Sequence, residues 1–293
     1  MNRSVLALAF ALCASPALAA PLNVVASFSI LGDLVKQIGG EHVNVTTIVG
    51  PNADTHVYEP KPSDAAILAK ADVFIVNGLG FEGWMDRLVQ STGYAGRLTV
   101  ASRNVTSATM DEGGVVVTDP HAWQSLMNVS LFYVPNIVGA LCDADIADCD
   151  MFRANGATYS AKLNTLDAEI KERLAALPTE KRKVITTHDA FGYFGRAYGV
   201  TFLSPEGIST DAEPSAADVA KLITQIRTEG VTALFIENMS DSRLIEQIAR
   251  ETGATVGGEL YADALSEPDG PAATYLDLFK HNADLLIPAM GGK

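Results

Sequence analysis

The sequence predicts an α/β protein of two lobes, each with a mainly parallel sheet flanked by helices, bridged by one long helix. Short buried strands alternate with helices along most of the chain, which is typical of parallel sheets with right-handed crossovers. The length of 293 residues suits two domains of ordinary size. One long helical pattern separates the two alternating halves, so we expect it to connect the lobes.

The first 19 residues have the features of a secretory signal peptide. Arg3 supplies a positive charge, residues 5–14 are mostly apolar, and residues 17–19 form an A-x-A cleavage site. Cys13 is a poor lipidation site, because the bulky residues ahead of it do not form a lipobox. The apolar run is too short to span a bilayer, and we expect no transmembrane segment later in the chain. The sequence therefore predicts a soluble, exported protein.

Residues 20–149 form the predicted N-terminal lobe. Alternating β-branched residues mark its strands, and an N-cap serine with Ala/Leu periodicity marks a helix. Residues 102–120 are polar and contain glycine, which predicts a loop or hairpin, and residues 121–142 are helical with an interruption at Pro135. The other predicted elements are a strand and helix within Asn23–Gly40, strands at Val43–Gly50, Val73–Gly78 and Arg97–Ser102, and helices at Ser63–Ala71 and Gly83–Gln90.

Residues 150–178 form the predicted linking helix. Its apolar residues recur with a period near 3.6, and charged residues occupy the other face. The helix is longer than the usual length of about three turns, which favours a connector between two lobes. An amphipathic helix packed on a single sheet would show the same pattern, and the sequence does not separate the two. The periodic residues are Phe152, Tyr159, Leu163, Leu166, Ile170 and Leu174.

Residues 179–293 form the predicted C-terminal lobe. Strands and helices alternate again, so a second parallel sheet is expected. The predicted strands are Lys183–Thr187, Thr201–Ser204, Thr232–Asn238 and 254–258, and the predicted helices begin at Phe191, Ser215, Ser240 and Tyr275.

Composition and charge narrow the class of function. Apolar residues make up 48% of the chain and charged residues 19%, which is typical of a globular protein. The net charge of −14 argues against a nucleic-acid partner, which needs a basic surface. Cys142 and Cys149 are close in sequence, and an exported protein would pair them as a disulfide. A two-cysteine metal site is the weaker alternative, because no histidine lies nearby.

Four residues in separate loops are candidate metal ligands: His56, His121, His188 and Asp263. Each follows a predicted strand or begins a helix next to one, and such loops converge at the crevice of an open α/β sheet. Two come from each half of the chain, as a cleft between lobes would require. Three imidazoles and one carboxylate form a tetrahedral set typical of Zn²⁺, whereas Mg²⁺, Ca²⁺ and Mn²⁺ prefer oxygen ligands.

Other interpretations of the same residues remain open at this point. Each histidine alone is also compatible with an ordinary hydrogen-bonded residue, as we expect for His42 and His281, and no short motif such as HExxH supports the set. A secreted zinc hydrolase would need an open coordination position and a base such as Glu59 or Glu237. A protein for an organic solute would need an aromatic or arginine-lined cleft, and the chain has only two tryptophans.

The chain resembles the metal-binding solute-binding proteins of the ZnuA/TroA-like family, which serve ABC importers of zinc and manganese. The resemblance implies no enzyme activity, a monomeric receptor in the periplasm that serves a membrane permease, and two lobes bridged by one long helix. His56, His121, His188 and Asp263 coincide with the family's four ligand positions. Manganese-binding members tend to carry Glu at the third position, so His188 implies zinc as the transported ion. The matching segments are 24–40, 54–64, 119–123, 187–199, 207–226, 235–253 and 261–266.

One loop departs from the family pattern. Many zinc-uptake relatives carry a His-rich and acidic loop before the second ligand, but residues 102–120 hold Asp111 and Glu112 and no histidine. We therefore expect the protein to capture free zinc without this loop, or to accept zinc from a periplasmic donor protein. Carboxylates expected to orient the ligand histidines are Glu59, Asp119, Asp189 and Glu237, and aromatic residues expected to shield the site are Tyr58, Trp123, Phe191 and Tyr193.

Overall fold

The computed structural model describes residues 20–112, 115–212 and 214–291, so the predicted signal peptide lies outside the described residues. The strands are β1 (Leu22–Phe28), β2 (Val43–Val49), β3 (Val73–Val76), β4 (Arg97–Val100), β5 (Ala108–Glu112), β6 (Val115–Asp119), β7 (Lys183–Ile185), β8 (Thr201–Leu203), β9 (Ala233–Glu237) and β10 (Thr255–Leu260). The helices are α1 (Ser29–Gly39), α2 (Pro62–Leu68), α3 (Met85–Thr92), α4 (Leu126–Asn128), α5 (Val134–Ala144), α6 (Cys149–Ala175), α7 (Gly192–Tyr198), α8 (Ala216–Glu229), α9 (Arg243–Thr252) and α10 (Tyr275–Gly291).

Two four-stranded parallel sheets form the centres of the two lobes. The N-terminal sheet has the order β2-β1-β3-β4, and the C-terminal sheet has the order β10-β9-β7-β8. Helices cover the sheets, because strands such as β1 and β3 are almost wholly apolar and must be buried on both faces. The predicted two-lobe α/β architecture is confirmed, with element ends that differ from the predicted ones by a few residues.

Residues 102–120, predicted as a loop or hairpin, contain an antiparallel hairpin of β5 and β6. Val115 and Val116 on its second strand are exposed. The hairpin ends at Asp119, two residues before His121, so it leads directly into the candidate site.

The helical region after the hairpin is continuous through Pro135. A π-helical turn at Val129–Tyr133 runs directly into α5, and Pro135 lies just after it, where the wider π turn accommodates a residue without an N–H. Within the described residues, this run from Leu126 to Ala144 is the one helix with the length and composition of a membrane span. Ile137 and Leu141 are fully buried in the lobe, so the run packs as a core helix. The expectation from the sequence that no later segment reaches the length of a membrane span is therefore wrong for this run.

Helix α6 bridges the two lobes. Near its start, Asn155 Nδ2 donates to Ile38 O of the N-terminal lobe at 3.0 Å. Near its end, Asp167 accepts from the Tyr198 hydroxyl of the C-terminal lobe at 3.0 Å. The bridging helix of the predicted fold is therefore present, and a disulfide between Cys142 and Cys149 joins its first residue to α5.

The apolar core is continuous across the lobes. The main cluster joins the N-terminal sheet and helices α1, α5 and α6 to residues of α7 and α10. A second, smaller cluster lies between the C-terminal sheet and helices α8 and α9. Much of the segment after β10 therefore packs on the N-terminal lobe, although it comes last in the chain.

Candidate metal centre

The structure brings the four candidate ligands together between the lobes. Their ligating atoms all lie within 4.8 Å of one another. His121, His188 and Asp263 are completely buried, and the His56 side chain is 5% exposed. Each ligand lies in a loop after a strand: His56 after β2, His121 after β6, His188 after β7 and Asp263 after β10.

The distances within the cluster match the edges of a tetrahedron. Asp263 Oδ2 lies 3.1 Å from His188 Nε2, 3.3 Å from His56 Nε2 and 3.7 Å from His121 Nε2. The Nε2 atoms of His56 and His121 are 3.3 Å apart. A tetrahedral zinc with bonds of about 2.0–2.1 Å has ligand–ligand distances of roughly 3.3 Å. The cluster can therefore accept such an ion with small shifts of its side chains.

Carboxylates orient two of the three imidazoles. Asp119 Oδ1 lies 2.9 Å from His121 Nδ1, and Glu237 Oε2 contacts His188 Nδ1. Each carboxylate accepts the Nδ1 proton, so Nε2 of both rings is directed into the cluster and is the nitrogen that a metal would bind. These are two of the four carboxylates proposed for this role from the sequence.

The other two proposed carboxylates are less buried. Glu59 is exposed on the loop after His56. Asp189 is half-buried, and its backbone N–H donates to Gly207 O at 3.0 Å. His56 is positioned by its main chain instead, because its N–H donates to Asp54 Oδ1 at 2.8 Å.

Burial and close charge shift the pKa values of the ligands. Burial acts to lower the pKa of His121, but the carboxylates of Asp263 and Asp119 outweigh it and raise the pKa to about 9. For His188 burial is likewise outweighed, by Glu237 and Asp263, and the pKa lies well above its ordinary value. Burial acts to raise the pKa of Asp263, yet His121 and His188 hold it well below its ordinary value. Without metal, the cluster therefore holds protons that a cation must displace.

One carboxylate oxygen of the cluster has no partner. Asp263 Oδ1 is buried and takes part in no hydrogen bond within the described part of the chain. An unpaired buried carboxylate oxygen is costly, and a bound cation beside Oδ2 would lower that cost. The donor set and this oxygen both fit a divalent metal ion.

Aromatic rings close the site on the side of the N-terminal lobe. The Phe81 ring centre lies 4.8 Å from that of His56, and the Trp123 ring centre lies 5.2 Å from that of His121. Trp123 was among the aromatic residues proposed from the sequence, whereas Phe81 was not. The sequence position of Phe81 could have indicated this role, because Phe81 follows strand β3 just as each ligand follows a strand.

The three remaining aromatic residues proposed from the sequence have other partners in the described part of the chain. Tyr58 packs against Trp84, and Phe191 stacks on Phe202. Tyr193 donates from its hydroxyl to Asp119 O at 3.3 Å. It therefore supports the second ligand loop instead of covering the site.

The other two histidines lie outside the cluster. His42 Nδ1 is 2.5 Å from Asp148 Oδ2, and His281 Nε2 is 2.9 Å from Glu259 O. Both are tied to neighbouring elements of the fold, which leaves three histidines in the candidate site.

A buried cluster of three histidines and one aspartate between two bridged α/β lobes is the arrangement of a metal-binding solute-binding protein. The family described as "Zinc-uptake complex component A periplasmic" matches residues 24–289. The chain belongs to this ZnuA family, whose members are transport components and not enzymes.

Relatives of known function bind several metals. The chain is 32% identical to the manganese-binding lipoprotein MntA of Halalkalibacterium halodurans over 269 residues, which cover 92% of this chain and 88% of the relative. It is also 32% identical to the iron-binding protein YfeA of Yersinia pestis, covering 92% and 86% of the two chains. Overall identity therefore does not select one metal.

Solved structures share the fold. The periplasmic zinc-binding protein TroA of Treponema pallidum superposes with a TM-score of 0.87 at 28% identity, covering 92% of this chain and 99% of that one. A manganese-bound periplasmic metal-binding protein of Candidatus Liberibacter asiaticus gives a TM-score of 0.83 at 29% identity with the same coverage. The choice of metal must therefore be argued from the ligands of this chain.

Proposed function

We propose that this protein binds Zn²⁺ in the periplasm and delivers it to the membrane permease of an ABC importer. The four ligands are His56, His121, His188 and Asp263, and the ion is the transported substrate. The observation that carries the proposal is the buried, nitrogen-rich cluster with ligand distances close to those of a zinc tetrahedron.

The chemistry of the donor atoms favours zinc over manganese and iron. Imidazole nitrogen binds zinc well, and Mn²⁺ prefers carboxylate, carbonyl and water oxygen. His188 supplies a nitrogen at the position where manganese-binding members of the family tend to carry a glutamate. Zinc also stands above manganese and iron in the general order of affinity for such ligands.

Burial of the site supports storage and delivery of the ion. A catalytic zinc keeps a coordination position open for water or substrate. Here three of the four ligands are fully buried, and aromatic rings pack against two imidazoles. The four protein ligands thus suit a closed shell that releases its ion when the lobes move apart.

We also propose that the protein is a monomer and that residues 1–19 are removed on export. It needs no histidine-rich loop to collect zinc. The hairpin of β5 and β6 stands where such a loop would be. Zinc transfer from a chelator or a donor protein should proceed at the same rate after deletion of residues 104–117. A large loss of transfer rate would assign a collecting role to the hairpin.

The experiment that tests the choice of metal is a competition titration of residues 20–293 with Zn²⁺ and Mn²⁺. We expect zinc to bind at least 100-fold more tightly, which is roughly 2.7 kcal/mol. The variant His188→Glu should narrow that ratio, since it replaces a nitrogen with an oxygen ligand. Equal or tighter binding of manganese by the unsubstituted protein would contradict zinc as the substrate.

A further inference from the structure

The order of the ligands in the chain suggests an even division of the site. His56 and His121 belong to the first half of the sequence, and His188 and Asp263 belong to the second. Opening of the lobes would then separate two ligands from two. The hydrogen bonds around Asp263 indicate a different division.

The peptide that precedes Asp263 is held by the N-terminal lobe. Ala262 O accepts from Trp123 Nε1 at 2.9 Å and from Gln124 Nε2 at 2.7 Å, and both bonds are buried. Trp123 and Gln124 lie in the short helical turn directly after His121. The loop of His121 and the loop of Asp263 are therefore joined by the side chains of two residues that follow His121.

The chain after Asp263 is held by the same lobe. Leu265 N donates to Ser29 Oγ at 2.9 Å, and Leu265 O accepts from Asn52 N at 3.0 Å. Further along, Tyr275 N at the start of α10 donates to Asp33 Oδ2 at 2.8 Å. Ser29 and Asp33 lie in α1, which is fully part of the N-terminal core.

Attachment to the C-terminal lobe weakens just before Asp263. Leu260 O accepts from Asn238 N at 3.0 Å, and both main-chain groups of Tyr261 bond to the side chain of Asn282, in the part of α10 that packs on strand β10 of the C-terminal sheet. Beyond that point, Ala264 O accepts from Asn238 Nδ2 at the longer distance of 3.4 Å. The change of lobe therefore falls between Tyr261 and Ala262.

His188 is held by the C-terminal lobe. Glu237 Oε1 accepts from the backbone N–H of Thr187 at 2.9 Å and from that of His188 at 3.0 Å, and Glu237 Oε2 contacts the His188 ring. On either side, Thr186 N donates to Leu203 O and Asp189 N donates to Gly207 O, both at 3.0 Å. These partners all belong to the C-terminal lobe.

We propose that the site divides three to one, and that Ser29 and Gln124 are positioning residues that hold Asp263 on the N-terminal lobe beside His56 and His121. The metal-free protein opens by withdrawing His188 with the C-terminal lobe. Three ligands then remain together to capture the next ion, and His188 closes the shell. This inference rests on the proposed metal-carrier function but not on the choice of zinc.

Opening must break polar contacts between the lobes, including those of Arg196 and Tyr193 with Asp119 at 3.3 Å and two contacts at the rim. Thr210 Oγ1 of the C-terminal lobe donates to Asp54 Oδ2 at 2.6 Å, and Asn238 Nδ2 donates to Asn52 Oδ1 at 2.9 Å. The two acceptors, Asp54 and Asn52, lie on the loop that carries His56. Since hydrogen bonds near solvent contribute about 1 kcal/mol each, they can break when the metal leaves.

Distances between spin labels test the division directly. Ser91→Cys on the N-terminal lobe, Asp269→Cys on the segment after Asp263 and Lys221→Cys on the C-terminal lobe are exposed positions. The cysteines of residues 20–293 are paired with each other, so the new thiols react alone. Labelled pairs are measured with zinc and after its removal by a chelator.

On zinc removal we expect the 91–221 and 269–221 distances to widen while the 91–269 distance stays constant. A 269 label that moves with 221, or no change in any pair, would overturn the three-to-one division. The series is repeated with Mn²⁺. If manganese binds and zinc does not, the same pattern of distances would support the division while the proposed zinc function fails.

Variants test the two positioning residues. Ser29→Ala and Gln124→Ala should raise hydrogen exchange of residues 262–275 at least ten-fold in the metal-free protein, and should speed metal dissociation several-fold. Ser29→Thr keeps the hydroxyl and should restore slow exchange. Asn282→Ala is the matched control, because it removes the bonds to Tyr261 from the other side. Equal metal dissociation from Asn282→Ala and Ser29→Ala would contradict the proposal, and the distance series stands even if a variant fails to fold.

Discussion

The two histidines that face each other across the lobes are oriented by carboxylates in different ways. Asp119 uses one oxygen, Oδ1, for both the backbone N–H and the ring Nδ1 of His121. Glu237 uses both oxygens, since Oε1 accepts two backbone N–H groups and Oε2 contacts the ring of His188. An amide cannot replace a carboxylate whose two oxygens both accept hydrogen bonds for the ligand loop, as in Glu237. An amide can replace a carboxylate that holds the ligand through a single oxygen, as in Asp119.

The environments of the two carboxylates also differ. Glu237 is completely buried among groups of its own lobe. Asp119 is contacted from the other lobe, because Arg196 Nη2 lies 3.3 Å from its Oδ2 and the Tyr193 hydroxyl donates to its main chain. The His188 loop is therefore self-contained and can move as a unit, and the His121 loop is supported from both sides.

The largest effect is expected from Glu237→Gln. The amide must present its NH₂ group either to the backbone N–H groups of Thr187 and His188 or to the Nδ1 proton of His188. Either arrangement sets donor against donor and disturbs the tautomer that frees Nε2 for the metal. Zinc affinity should fall about 10–100-fold, as is typical for loss of such a partner. Calorimetry or chelator competition measures the change, and unaltered affinity would contradict the role of Glu237.

A smaller effect is expected from Asp119→Asn. The amide oxygen can take the place of Oδ1 and keep both bonds to His121. The NH₂ group then faces Arg196, but this donor-to-donor contact is relieved because the Arg196 side chain is 53% exposed and can turn to water. The zinc affinity of Asp119→Asn should fall less than about five-fold. The zinc affinity of Asp119→Ala should fall further, by about ten-fold. An Asn variant as weak as the Ala variant would show that the charge of Asp119, and not its one oxygen, supports the ligand.

Acidity should weaken metal binding over a wide range. The pKa of His121 is about 9 in the metal-free protein, and that of His188 is well above its ordinary value. Their protonation stabilises the metal-free fold fully below about pH 6.5 and ceases to do so as the pH rises through about 9. Zinc must displace these protons, so its affinity should increase from pH 6 to about 9.

Titration at pH 7.5 in buffers of different ionisation enthalpy counts the protons released. We expect one to two per zinc bound, and fewer in the His121→Ala variant. Binding with no proton release, or affinity that stays constant down to pH 5, would contradict ligation by imidazoles that are protonated in the metal-free protein.

The smallest effect is expected from Arg196→Ala. The Arg196 side chain is 53% exposed, so its ion pair with Asp119 is screened by water and contributes little. Zinc affinity should change less than three-fold. Any small dependence of the affinity on salt concentration that the Arg196–Asp119 ion pair causes should disappear. A change as large as that of Glu237→Gln would mean that the support of His121 from the other lobe is essential.

Most of the fold could be predicted from the sequence, because strand and helix periodicities are local. The four ligands were predicted since each follows a strand whose end lies at the crevice. Glu237 could not be separated from Glu59 or Asp189, because its contact with His188 spans 49 positions of the chain. The same holds for Ser29 and Gln124, whose bonds to the Asp263 loop join distant segments. The even division of ligands suggested by chain order overlooked these bonds.

The most direct test of the central claim is zinc calorimetry on residues 20–293 with His188→Ala and Asp263→Ala beside it. The account predicts one zinc per chain, and at least a ten-fold loss of affinity in each variant, which is about 1.4 kcal/mol. His281→Ala is the matched control, because this histidine lies outside the cluster, and it should bind zinc as the unsubstituted protein does. Full affinity in both His188→Ala and Asp263→Ala would show that the metal binds elsewhere.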